Sequence, residues 1–101
     1  LMSVGGEGVI SVVGNVDPSD MIALVHAASP GDYETARVWH HKLFGLCRDM
    51  LGLATNPIPV KAAMRLLKRD TGEMRLPMTE LEPALVEKLR RSLIGYGLLA
   101  T

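Results

Sequence analysis

The 101-residue sequence predicts a mostly helical chain that begins with one β/α unit of a larger parallel sheet or barrel. Three observations predict this fold class. Apolar residues recur at helical spacing over most of the chain. One run, residues 9–13, is β-branched except at Ser11, and it is too short for a helix. Apolar residues also make up 48% of the sequence, more than so short a chain is expected to bury alone.

The predicted β/α unit occupies the first 29 residues. A strand over residues 9–13 is followed by Asp17 and Pro18, which together start a helix. The aspartate can accept a hydrogen bond from a free backbone N–H, and proline suits the first helical position. A single strand cannot satisfy its own backbone groups, and the sequence offers no other convincing strand. We therefore expect the strand to need neighbours from outside this sequence.

Two helices are predicted in the middle of the chain. The first covers roughly residues 33–53, where apolar residues are spaced by three and four. Asp32 lies directly before it and can cap its first turn. The proline-rich residues 56–59 form a rigid connector to the second helix. That helix is expected to end near residues 70–72, where an Asp-Thr-Gly sequence favours a stop.

A final helix is predicted over about residues 80–95, with leucines four residues apart along its apolar face. Residues 75–78 lead into it and are expected to be extended, because a proline disfavours helix at the residue before it. Thr79 and Glu82 have the spacing of a capping box. Gly97 has the residue type that ends many helices.

Charge and composition argue against several classes of protein. Eleven basic residues balance eleven acidic ones without a long run of either sign, so no nucleic-acid groove is expected. The longest apolar stretches are shorter than the ~20 residues that span a bilayer, so no membrane segment is expected. The first residues lack the basic region of a signal peptide. Cys47 is the single cysteine, which indicates a reducing, cytoplasmic location without disulfides.

Glycines and histidines are weak candidates for a binding site. The glycines of residues 5–8 precede the predicted strand, whereas phosphate-binding glycines follow a strand and precede a helix. They therefore indicate a tight loop. His40 and His41 are adjacent and point about 100° apart on a helix, and His26 lacks a ligand at suitable spacing. We expect solvated histidines, no metal site and no cofactor.

Lys61 and Cys47 are the candidate nucleophiles. Lys61 follows the proline-rich connector, and a desolvated lysine can form a Schiff base. No tyrosine, acid or second cation lies near it in sequence to activate it, so a structural role is favoured. Cys47 lies in the apolar stripe of its helix, which favours a buried, inert thiol. No catalytic residue is therefore predicted in this chain.

Three stretches of the sequence together resemble the dihydrodipicolinate synthase (4-hydroxy-tetrahydrodipicolinate synthase) family. They are the Gly-Gly-Glu-Gly-Val-Ile-Ser-Val run of residues 5–12, the Asn-Pro-Ile-Pro-Val-Lys run of residues 56–61 and the Arg-Leu-Pro-Met-Thr run of residues 75–79. The resemblance extends over essentially all 101 residues and corresponds to the final third of such an enzyme. Sister pyruvate aldolases such as N-acetylneuraminate lyase share parts of the pattern and remain an alternative, as does a non-catalytic helical interaction module.

The resemblance implies that residues 1–29 are the last strand and helix of a (β/α)₈ TIM barrel and that residues 30–101 are a C-terminal helical domain. Full-length members condense pyruvate with L-aspartate-β-semialdehyde in lysine biosynthesis, through a Schiff base on a barrel lysine, and form homo-oligomers, dimers or homotetramers. Their catalytic lysine and tyrosine lie upstream of the matched segment, so the chain alone is expected to be inactive. Ile10 matches a strand isoleucine that contacts pyruvate in the family.

Overall fold

The computed structural model describes all 101 residues and contains helices but no β-strand. Four α-helices follow one another along the chain: α1 (Pro18–Ala28), α2 (Tyr33–Gly52), α3 (Ile58–Leu66) and α4 (Pro83–Tyr96). Two short 3₁₀ turns, Met2–Val4 and Val13–Asn15, precede them. None of the helices combines the length and the apolar character needed to cross a bilayer.

The strand predicted over residues 9–13 is not formed in this chain. Residues 7–11 make no backbone–backbone hydrogen bond, and Val13 already belongs to a 3₁₀ turn. A strand is held by N–H and C=O groups of a neighbouring strand, and no second strand is present to supply them. The prediction of the strand was therefore wrong for this chain by itself. A single strand cannot satisfy its own backbone N–H and C=O groups, which is also why we expected it to need neighbours from outside this sequence.

The starts of α1 and α2 confirm the two predicted caps. The Asp17 carboxylate accepts a hydrogen bond from the backbone N–H of Asp20 at 3.3 Å. The Asp32 carboxylate accepts one from the N–H of Thr35 at 3.1 Å. Each bond satisfies one of the N–H groups that the first turn of a helix leaves free. Because these signals are local, the sequence located both starts correctly.

The start of α4 differs from the prediction. The helix begins at Pro83 rather than near residue 80, and no side chain caps its first turn. The predicted Thr79–Glu82 capping box is therefore wrong. Proline has the φ of a helix and no N–H to leave unsatisfied, so Pro83 takes the first helical position. Gly97 ends the helix as predicted, with φ at 99°.

Residues 75–78 form a turn rather than the expected extended segment. The backbone N–H of Met78 donates to the carbonyl of Arg75 at 3.1 Å, across the Leu76-Pro77 pair. The proline did exclude helix here, as predicted. It did not impose an extended path, because prolines also occupy tight turns.

The core lies where α2 packs against α1 on one side and against α3 and α4 on the other. Its largest fully buried side chains come from α2, from α4 and from the 3₁₀ turn with its following residue: Leu43, Leu46 and Met50; Leu89 and Leu93; Val13 and Val16. The two portions predicted from the sequence, residues 1–29 and 30–101, therefore both contribute side chains to one core.

Lys68 is the one residue other than glycine with a positive φ, at 58°, directly after α3. The turn is closed by the N–H of Arg69, which donates to the carbonyl of Met64 at 2.8 Å. A left-handed conformation costs a residue with a Cβ about 1–2 kcal/mol, and glycine avoids that cost. We expect Lys68→Gly to raise the free energy of unfolding by about 0.5 kcal/mol after the entropy of glycine is deducted.

Urea denaturation of the purified chain measures this change. Lys68→Ala is the matched control, because it removes the same side chain but keeps the Cβ. We expect it to leave the free energy of unfolding unchanged or slightly lower. Equal effects of the two substitutions would show that the backbone conformation of Lys68 is not strained.

Candidate functional site

Ile10 lies within the unpaired segment, which we define as residues 7–11. Its side chain is fully exposed, and that of Val9 is about half exposed. No other predicted site residue contacts it, so the structure shows an accessible apolar side chain rather than an assembled site. A site at Ile10 would need walls supplied from outside this chain.

The C-terminal end of the unpaired segment is firmly held. The N–H of Gly14 donates to the Ser11 hydroxyl at 3.3 Å, which closes a small turn behind the segment. Val13 and Val16 are buried in the core. The Arg69 guanidinium donates to the Val16 carbonyl at 2.8 Å and ties this turn to the end of α3. Ile10 is therefore three residues from a fixed anchor.

A polar junction, formed by Asp20, Lys42 and Tyr96, joins the helices α1, α2 and α4. One carboxylate oxygen of Asp20 accepts from the Tyr96 hydroxyl at 2.5 Å and from the Lys42 ammonium at 2.7 Å. The ammonium also lies 4.9 Å from the centre of the Trp39 ring and 5.2 Å from that of Tyr96. Cations at such distances from aromatic faces are attracted to them.

The junction shifts the pKa values of both acids in opposite directions. The hydrogen bond from Lys42, followed by the one from Tyr96, lowers the pKa of Asp20, which partial burial opposes. Burial and the neighbouring carboxylate raise the pKa of Tyr96. The phenol therefore stays protonated at neutral pH and donates to a charged acceptor. The junction therefore holds three helices together. Neither Asp20 nor Tyr96 is suited to act as a general base, because the pKa of each is shifted away from neutral pH.

The histidines do not form a metal site in this structure. The rings of His40 and His41 lie 5.5 Å apart at a steep angle, and His40 also lies 6.1 Å from the ring of Phe44. His26 lies on α1 beside a cleft next to the unpaired segment. No group of three histidine, cysteine or acidic side chains comes close enough together to hold a metal ion.

The two candidate nucleophiles lie in different surroundings, Lys61 beside an acid and Cys47 partly buried. The Lys61 ammonium is 3.2 Å from the Asp70 carboxylate, and this contact lowers the pKa of Asp70. The acid that the sequence did not place near Lys61 comes from the loop after α3. An ammonium bound to a carboxylate is not a nucleophile. Burial raises the pKa of the Cys47 thiol, which disfavours the reactive thiolate.

Sequence reasoning missed the polar junction because its members are far apart in the chain. Asp20 is 22 residues from Lys42 and 76 from Tyr96. An acidic residue in the first turn of a helix has an ordinary local role near the positive end of the helix dipole. Nothing in the local pattern distinguishes that role from a tertiary one.

The architecture is a cluster of four α-helices preceded by residues 7–11, whose backbone groups have no hydrogen-bond partners. A family model described as "Dihydrodipicolinate synthetase family" matches residues 1–94. The chain therefore belongs to the dihydrodipicolinate synthetase family, and the resemblance stated above is confirmed.

The similar curated proteins carry one name. The chain is 46% identical over 97 residues to a 4-hydroxy-tetrahydrodipicolinate synthase of Methanoculleus marisnigri, covering 96% of this chain and 33% of that protein. It is 42% identical over 99 residues to a synthase of the same name from Methanococcus aeolicus, covering 98% and 34%. The chain thus spans about one third of the length of these relatives.

Solved structures of the family contain the same fold. Dihydrodipicolinate synthase from Aquifex aeolicus superposes with a TM-score of 0.93 at 43% identity, over 96% of this chain and 33% of that one. A monomeric dihydrodipicolinate synthase variant gives 0.92, also at 43% identity, over 98% and 33%. The enzyme from Cyanidioschyzon merolae with lysine bound gives 0.86 at 33% identity, over 97% and 33%. The predicted helical portion of a synthase fold is confirmed by these superpositions.

Proposed function

We propose that this chain is the C-terminal third of a class I pyruvate-dependent lyase that condenses pyruvate with L-aspartate-β-semialdehyde in lysine biosynthesis. The observation that carries the proposal is the family match over residues 1–94, together with synthase relatives of which the chain spans one third. In this proposal residues 1–29 complete the (β/α)₈ barrel and residues 30–101 form the helical domain. The names of the relatives favour the synthase over N-acetylneuraminate lyase.

Ile10 is the proposed substrate contact within this chain. Its exposed side chain and unpaired backbone are what a barrel strand would present before its neighbours are added. Once residues 9–13 become a strand, Ile10 lines the barrel end where pyruvate binds. An apolar side chain there would pack against the methyl group of pyruvate and exclude water.

The chain by itself is proposed to be inactive. Schiff-base formation needs an unprotonated, desolvated amine, and Lys61 is instead held in an ion pair with Asp70. Tyr96 is engaged by Asp20, so it is not free to relay protons. The catalytic lysine and tyrosine would come from the rest of the enzyme. We place the whole protein in the cytoplasm as a homo-oligomer, without a cofactor.

Reduction with borohydride in the presence of pyruvate tests this assignment of roles. A Schiff base between pyruvate and a lysine is reduced to a stable adduct, which intact mass spectrometry detects. We expect no adduct on this chain. The full-length Aquifex aeolicus enzyme, treated in parallel, is expected to gain one. An adduct that peptide mapping locates on Lys61 would contradict the proposal that catalysis depends on residues outside this chain.

A further inference from the structure

A cleft of about 380 Å³ lies between α3, the loop that follows it and the first half of α4. None of its lining residues belongs to the unpaired segment or to the polar junction. Its volume is within the range of pockets that hold small ligands. The cleft is therefore a separate feature of the helical cluster, and the proposed function makes no use of it.

Half of the residues that line the cleft are apolar, and we call these five its apolar floor. Leu81 is buried in the core, and Leu66 and Val86 pack against that core but remain partly accessible. Ala62 and Met74 complete the floor. Covering apolar side chains removes their surface from water, which is favourable. The apolar floor therefore fits a hydrocarbon group.

The charged side chains of the cleft are mostly cationic. Arg65, Lys68 and Arg90 line it, and Glu80 is the one acid among the lining residues. The whole chain has a formal net charge of zero, so this excess of positive charge is local. A cleft lined mainly by one sign of charge attracts ions of the opposite sign. The cleft therefore favours an anion.

Two of the three cations have donors that no acid occupies. The Arg65 guanidinium donates to the Glu80 carboxylate at 2.8 Å. Lys68 makes no ion pair. The Arg90 guanidinium lies 3.6 Å from the Glu87 carboxylate, beyond hydrogen-bond distance. Lys68 and Arg90 are therefore the groups available to an anion.

Gly72 fixes one wall of the cleft. It is buried with φ at 83°, and a Cβ at this position would lie 2.8 Å from the Cδ atom of Arg65. The stem of Arg65 therefore lies directly against the Gly72 backbone, while Glu80 holds its charged end. Because the side chain is held at both ends, this wall needs no ordering when a ligand binds.

We propose that this cleft binds a small aliphatic monocarboxylate. Arg90 binds the carboxylate, Lys68 contributes to balancing its charge, and the hydrocarbon chain covers the apolar floor. A guanidinium can bind a carboxylate through two parallel N–H···O bonds. An inorganic anion such as phosphate would use the charges but leave the floor in water. The inference goes beyond the proposed function and does not depend on it.

Titration of the isotope-labelled chain with sodium hexanoate, followed by residue-resolved NMR, tests the proposal. We expect saturable shifts of the amide signals of the cleft residues. The Kd of hexanoate should be about tenfold below those of acetate, which lacks the longer chain, and hexanol, which lacks the charge. Shifts centred on α1 instead, or equal binding of the three probes, overturn the proposal. Phosphate that binds as tightly as hexanoate also overturns it.

Arg90→Gln tests the carboxylate contact, with Arg91→Gln as its matched control. Both arginines lie on α4 near Glu87, at 3.6 and 3.5 Å, so each substitution removes one charge from the same neighbourhood. The Arg91 side chain is 79% exposed and does not line the cleft. We expect Arg90→Gln to weaken hexanoate binding about tenfold and Arg91→Gln to leave it unchanged. Equal effects overturn the proposal, because distant charge alone would then explain the binding.

Val86→Thr tests the apolar floor. Threonine has nearly the shape of valine but brings a hydroxyl into the floor. We expect hexanoate binding to weaken about threefold and acetate binding to stay the same. Circular dichroism establishes that the variant keeps its helices. A folded variant with unchanged affinity for hexanoate shows that the floor is not used, and the proposal then fails.

Discussion

Leu89→Ala is expected to lower the free energy of unfolding by about 3 kcal/mol. Leu89 lies on α4, is fully buried and belongs to the core where α4 meets α2 and α3. Truncating a buried leucine loses its transfer free energy and leaves a cavity that the surrounding helices fill only in part. Small domains are stable by about 5–15 kcal/mol, so this is a large share of the total.

Urea denaturation monitored by circular dichroism gives the value for Leu89→Ala. Leu76→Ala is the control, because Leu76 is 85% exposed and its truncation should change the free energy of unfolding by less than about 0.5 kcal/mol. Similar effects of the two substitutions would mean that α4 is not packed against the other helices in solution. The prediction would then fail together with the described core.

Asp20→Ala is expected to lower the free energy of unfolding by about 2 kcal/mol near neutral pH. The substitution removes the shared acceptor of Lys42 and Tyr96, leaving a partly buried phenol without its partner. The figure is below the sum expected of two buried bonds to a carboxylate, because Lys42 is about half exposed to solvent. Tyr96→Phe should cost about 1 kcal/mol, since the Lys42 contact remains.

The effect of Asp20→Ala should depend on pH in one direction. The pKa of Asp20 in the folded chain is lowered from its ordinary value of 3.8, so folding favours the charged carboxylate. Its contribution is therefore complete above about pH 4 and is lost as the pH falls through the folded-state pKa. Urea midpoints measured from pH 7 downward should converge for the original chain and Asp20→Ala. Glu87→Ala, at an exposed position, is the control; a difference that persists at low pH would contradict the prediction.

The sequence predicted those elements that depend on local signals. Asp17 and Asp32 cap their helices within three residues of themselves, and Gly97 ends α4 through its own backbone conformation. The start of α4 was not predicted correctly, because the spacing of Thr79 and Glu82 favoured a start near residue 80, whereas Pro83 takes the first helical position.

Elements that depend on distant or missing parts were not predictable in the same way. Residues 9–13 have the composition of a strand, yet strand formation needs hydrogen-bonding neighbours that this chain does not contain. The Asp20–Tyr96 contact joins residues near opposite ends of the chain, and the sequence carries no sign of it. Ile10 was identified only through the family resemblance, because composition and spacing give an exposed isoleucine no special chemistry.

The bond between Arg69 and the Val16 carbonyl has a consequence for the conformational entropy of the unpaired segment. It ties the turn behind that segment to the end of α3. Fixing one residue costs roughly 1–2 kcal/mol of conformational entropy, so only the residues ahead of this turn would add to that cost if residues 9–13 became a strand of the proposed barrel. Such a strand would have one fixed end, from which pairing would propagate, residue by residue, toward Glu7.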